Sequence, residues 1–147
     1  MKNIELLNLN SSLGTLFGLK GVKFAYAIAK NTIVIQAEVK LLEDAKNEKY
    51  KEYDKKRLEL AKKHARKDAQ GNPLVINNSY ILESQEMFDA ELGILRKEYE
   101  MEIKEYEDLL NTENELKLFK VKLSEIPVDI TIGQMFVIES FVEESNG

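Results

Sequence analysis

The chain has 147 residues, a net charge of -5, 44% hydrophobic and 32% charged residues, and no cysteine. That length fits one domain, and the composition fits a helix-rich globular protein rather than a disordered one. The missing cysteines exclude disulfides, thiolate nucleophiles and cysteine metal sites, and the acidic balance argues against nucleic acid as the main partner.

Ile4 to Phe17 reads as a first short helix, with Leu6, Leu9, Leu13, Leu16 and Phe17 near one face, ended by Gly18-Leu19-Lys20-Gly21. From Val22 to Gln70 nothing breaks a helix, which predicts a single element on the order of 70 Å long. Its opening part, with Val22, Phe24, Tyr26, Ile28, Ile33, Ile35, Val39 and Leu42, belongs in a core. Beyond Ala45 the apolar residues thin to Tyr50, Tyr53, Leu60 and Ala61, as in an arm facing one partner helix.

Gly71 is placed as the left-handed stop of that helix, and Pro73 forbids its resumption. Leu74-Val75-Ile76, Asn77-Asn78 and Tyr80-Ile81-Leu82 predict a small β-hairpin, since asparagine tolerates positive φ. Ser84 is the expected N-cap of a return helix whose stripe is Phe88, Leu92, Leu95, Tyr99, Ile103, Tyr106 and Leu110. Glu115 to Leu123 alternates as a strand with a bulge after Leu118, and Thr131 caps a last helix carrying Ile132, Met135, Phe136, Ile138, Phe141 and Val142.

The arms 37–67 and 83–111 carry opposite signs: Lys46, Lys49, Lys55, Lys56 and Lys63 on the first, Glu91, Glu98, Glu102 and Glu105 on the second. This predicts an α+β, mostly α fold: a long antiparallel helical hairpin, a coiled coil, with a β-hairpin tip and a small terminal domain of short helices and one or two strands. Residues 1–147 are expected to form a single domain, with 37–111 as the projecting hairpin, its tip at 71–82, and 1–36 and 112–147 as the packed base. Leu92, Leu95, Tyr99 and Ile103 are expected against Leu42, Tyr50, Tyr53 and Leu60. Because Phe24, Tyr26, Ile33 and Ile35 occupy more than one helix face, a homo-oligomer, a dimer, is expected as well.

No residue set specifies a reaction. His64 is the only histidine and reads as a solvated side chain, because a zinc site built on it would need three carboxylates. Pairs such as Glu98 with Glu102 read as a charged helix face, the glycines form no phosphate-binding fingerprint, and the serines have no elbow motif. No enzyme, cofactor or metal is therefore expected. The amino terminus lacks an apolar signal segment, and no membrane span is expected, because Lys30, Glu38 and Lys40 interrupt the most apolar window.

The basic patch Lys62 to Lys67 complements a helix dipole, or tracks an acidic surface. At the tip, β-branched and aromatic residues have little core to join. Arg66, Lys67, Pro73, Val75, Ile76 and Tyr80 are thus the candidate partner-binding set.

The segments Leu13-Gly14-Thr15-Leu16, Gly21 to Asn31, Gly71-Asn72, Glu115 to Glu125 and Val128-Asp129-Ile130 are similar to a family of small phage and prophage proteins of unknown function from siphophages of Gram-positive bacteria. The resemblance implies a phage origin and supplies no catalytic residues. Two roles are expected from it and from the missing catalytic parts. One is an inhibitor that binds a host anti-phage defence complex, such as CRISPR-Cas, in the host cytoplasm. The other is a virion or tail assembly accessory that binds phage structural proteins.

Overall fold

The computed structural model describes residues 1–144 and is mostly helical. In order come α1 (Asn3–Ser12), a 3-10 turn (Leu13–Leu16), α2 (Val22–His64), β1 (Val75–Ile76), β2 (Ser79–Tyr80), α3 (Gln85–Glu98), α4 (Glu100–Asn111), a second 3-10 turn (Leu123–Glu125) and α5 (Ile132–Ile138), continued by a 3-10 turn over Glu139–Phe141. The chain divides into two compact units. Met1–Asp44 and the residues from Leu109 onward make the first, and Ala45–Asp108 the second. Among the described residues no helix is long and apolar enough to cross a membrane.

In the first unit, Phe24, Ala27, Ile28, Asn31, Ile35, Val39 and Leu42 step by three or four along α2, so one stripe of that helix enters the core. Leu6, Leu13, Leu16, Val121, Ile138 and Phe141 close over it. Val39 and Leu42, which the sequence places in a core although they fall within the arm 37–67, lie in this core, with Leu109 packed against it. Leu42 therefore has its place here and not against the stripe of α3.

The expected strand at Glu115–Leu123 is not formed. Only Val121 pairs, in a single parallel bridge with Val142, where Val121 N–H donates to Phe141 O and Glu143 N–H to Val121 O, both at 2.8 Å. The reason is a side chain. Asn31 Nδ2 donates to Phe119 O at 2.9 Å, and Phe119 N–H donates to Asn31 Oδ1 at 2.7 Å, so a ladder position is filled by an amide. Thr131 caps α5 as expected, its Oγ1 accepting from Gln134 N–H at 3.1 Å while Gln134 Oε1 accepts from Thr131 N–H at 2.9 Å.

In the second unit, the last part of α2 runs antiparallel to α3 and α4, as successive contacts show. Lys49 Nζ meets Glu105 Oε2 at 2.6 Å, Tyr53 packs on Tyr99 with ring centres 5.7 Å apart, and His64 packs on Phe88 at 6.2 Å. Tyr50 meets Tyr106 at 5.4 Å and Tyr53 at 6.0 Å, so tyrosines rather than leucines form the middle of the seam. The return helix, expected within 83–111 with Ser84 as its cap, is interrupted at Tyr99, whose φ of -105° and ψ of 18° leave the helical region. Its stripe continues past the interruption: Phe88, Leu92, Leu95, Ile103 and Leu110 are all half-buried and Tyr106 is buried.

Candidate partner-binding surface at the hairpin tip

α2 ends at His64, six residues before the expected Gln70, because the backbone that follows finds other partners. Arg66 N–H donates to Ile81 O at 2.7 Å, Ile81 N–H to Leu74 O at 3.0 Å, and Leu74 N–H to Arg66 O at 2.7 Å. These bonds close a ring through three chain segments. In an ordinary hairpin Leu74 N–H would return to Ile81 O; here the peptide of Arg66 is inserted between them. Bridges Ala65 to Leu82 and Lys67 to Pro73 flank the ring, and Glu83 N–H donates to His64 O at 2.8 Å.

Beyond the ring, Val75 pairs with Tyr80 and Ile76 with Ser79. Asn77 and Asn78 turn the chain with φ of 52° and 62°, the two positive values a tight two-residue hairpin loop needs. Gly71 also has a left-handed φ, 82°, but it serves the loop Asp68–Asn72 and not the helix end. There Asp68 Oδ1 accepts from Gln70 N–H and Asn72 N–H, both at 2.9 Å.

The six candidate residues are thus brought together on one small β arrangement, and they do not share one environment. Val75 and Ile76 are 50% and 52% exposed. Arg66 is exposed, with its backbone held in the ring. Lys67 is exposed too, but its ammonium donates to Lys62 O at 3.3 Å, capping the end of α2. Pro73 and Tyr80 are half-buried and contribute chiefly to the tip's own packing. Val75 and Ile76 are consecutive in β1 and point to opposite faces of it, so the tip exposes one β-branched side chain on each face, on a strand whose preceding residue, Leu74, is bonded to Arg66.

His64 differs from its sequence reading. Its side chain is 10% exposed, with Nε2 2.9 Å from Glu91 Oε2 and its ring against Phe88. Lys63 Nζ reaches both oxygens of the same carboxylate, at 3.1 and 3.2 Å. The hydrogen bonds from His64 and then Lys63 hold the Glu91 carboxyl below the usual carboxylate range. The cluster ties the base of the tip to α3. Position alone hides it, because residues 64 and 91 meet only once the hairpin has formed.

Elsewhere in the seam, the hydrogen bond to Glu105 raises the Lys49 ammonium above its ordinary range, and the bond to Tyr99 does the same for Lys56. Among the described residues no group of three or more His, Asp or Glu side chains is arranged to hold a metal ion. Comparison with protein-family models, with curated proteins and with solved structures returned no match.

Proposed function

We propose that the chain is a phage-encoded, non-enzymatic binding protein whose two helical arms act as a coiled-coil support for the tip. In this reading the tip docks on a host anti-phage defence complex, such as CRISPR-Cas, and inhibits it in the host cytoplasm. The observation that carries the reading is the exposure of Val75 and Ile76, 50% and 52%, on a backbone held by a three-segment ring. A connector between two helices needs neither exposed β-branched side chains nor a locked backbone. Exposed β-branched side chains on a preorganised backbone are the kind of anchor that binds at low entropic cost.

A second reading, a virion or tail assembly accessory, is favoured by a different observation. The outer face of α5 leaves Ile132 and Phe136 79% and 74% exposed, an apolar surface suited to co-assembly.

The double variant V75E/I76E tests the choice, with circular dichroism to verify the helices. The inhibitor reading expects phage growth to fall on a defended host only. A fall in virion yield on every host supports assembly, and unchanged growth on both hosts removes the tip from function.

A further inference from the structure

Two apolar surfaces of the first unit stand exposed. The first is a groove of about 390 Å³ between the first 3-10 turn and the start of α2. Leu16, Phe17, Leu19, Ala25, Ala29 and Ile33 line it, with no charged side chain, and Phe17 and Ile33 are 62% and 64% exposed. The second is the outer face of α5, where Ile132 and Phe136 stand 79% and 74% exposed and, with Glu139 and Glu144, border an open hollow of about 480 Å³. No α5 residue lines the groove, so the helix does not fill it within its own chain.

Charge separates the two surfaces. Between Phe17 and Leu41 there are four lysines, Lys20, Lys23, Lys30 and Lys40, against the single carboxylate of Glu38. From Val128 to Glu144 there are Asp129, Glu139, Glu143 and Glu144, and no lysine or arginine at all. Lys120 brings one ammonium to this segment, donating to Ser140 O at 2.6 Å, and the pairs Lys23 with Glu125 at 3.6 Å and Lys40 with Asp44 at 3.7 Å are solvent-exposed, so the two segments still differ in sign. An apolar groove in a lysine-rich segment and an apolar helix face bordered by Glu139 and Glu144 complement each other in sign.

We propose that the groove receives α5 of a second copy, so that two chains exchange this contact reciprocally about a two-fold axis. Both surfaces lie beside the same 3-10 turn: Gln134 of α5 donates to Thr15 O at 2.8 Å, while Leu16 and Phe17 wall the groove. A reciprocal contact therefore covers both surfaces at once and closes, as an isologous interface requires. A foreign partner seated in the groove would leave α5 uncovered.

Sedimentation and light scattering from low to high micromolar concentration test the proposal. The unaltered chain is expected at twice its own mass. Ile33→Glu places a carboxylate in the groove facing an acidic helix, and Phe136→Lys places an ammonium on the helix face opposite lysines. Each alone is expected to give a monomer with an unchanged circular dichroism spectrum, since both positions are exposed. Mixing the two variants is expected to recover dimer, because one contact is then native and the other sets the introduced ammonium against the introduced carboxylate. A monomeric parent chain at every concentration overturns the proposal. So do single variants that associate like the parent, or monomeric single variants that stay apart when mixed.

Discussion

Asn31, fully buried on α2, holds both backbone groups of Phe119, donating to its carbonyl at 2.9 Å and accepting from its N–H at 2.7 Å. The two residues are 88 positions apart, so this amide fixes where the chain after α4 returns to the core. Asn31→Ala removes both bonds and leaves a partly buried donor and acceptor unpaired. It is expected to destabilise the fold by about 2 to 4 kcal/mol in urea unfolding. A loss no greater than that of an exposed substitution such as Gln36→Ala would show that water replaces the amide.

The Glu91 cluster predicts a pH effect of definite sign. The folded-state pKa of Glu91 is lowered, first by His64 and then by Lys63. Its contribution is therefore complete above the ordinary carboxylate pKa and is lost as the pH falls through the lowered folded value. Glu91→Gln is expected to be less stable than the parent at neutral pH and to converge on it in acid. Urea midpoints across the acid range measure this, and two parallel curves would refute the coupling.

What was legible in the sequence was local. Ser84 and Thr131 cap the helices assigned to them, with Ser84 Oγ accepting from Met87 N–H at 3.3 Å, because a cap depends on residues three positions away. The Asn77-Asn78 turn was legible for the same reason. The segment around Phe119 was not, since its alternation satisfies a strand, while the backbone of Phe119 is held by Asn31, distant in sequence. The end of α2 was misplaced because helix propensity through Gln70 competes with backbone bonds from Leu74 and to Ile81 that exist only in the folded tip. At the tip, composition pointed to Val75 and Ile76 as apolar residues with little core to join, and both are exposed, but it did not show that Lys67 caps a helix or that His64 is enclosed.

Tyrosines should dominate the stability of the seam. Tyr53 is 6% exposed and contacts both Tyr50 and Tyr99, whereas Leu95 is only half-buried. Tyr53→Ala is expected to lower stability by about 3 kcal/mol, and Leu95→Ala by about 1 to 2 kcal/mol. Thermal unfolding of the two variants checks the order. A larger loss at Leu95 would mean that the leucines and not the rings hold the arms together.

The turn at Asn77-Asn78 permits a gain. Both residues pay for positive φ, and glycine occupies that region without a Cβ clash. Asn78→Gly is expected to stabilise the tip by a few tenths of a kcal/mol, and Asn78→Val to destabilise it by about 1 to 2 kcal/mol. Amide exchange at Ile76 and Ser79 reports on this turn directly. Equal protection in the two variants would contradict the assigned turn geometry.

Arg66 separates the architecture of the tip from its chemistry. Its N–H and carbonyl belong to the backbone ring with Ile81 and Leu74, while its side chain is exposed. Arg66→Ala keeps the ring and deletes only the guanidinium, so stability should stay within about 0.5 kcal/mol of the parent, as for other surface changes. Arg66→Pro removes the donor to Ile81 O and is expected to cost about 1 to 3 kcal/mol, with loss of amide protection at Leu74 and Ile81. If the tip binds through a preorganised surface, Arg66→Pro weakens binding more than Arg66→Ala does. Equal weakening would assign the contribution to the guanidinium alone, and the ring would then be a means of ending α2 rather than of presenting Val75 and Ile76.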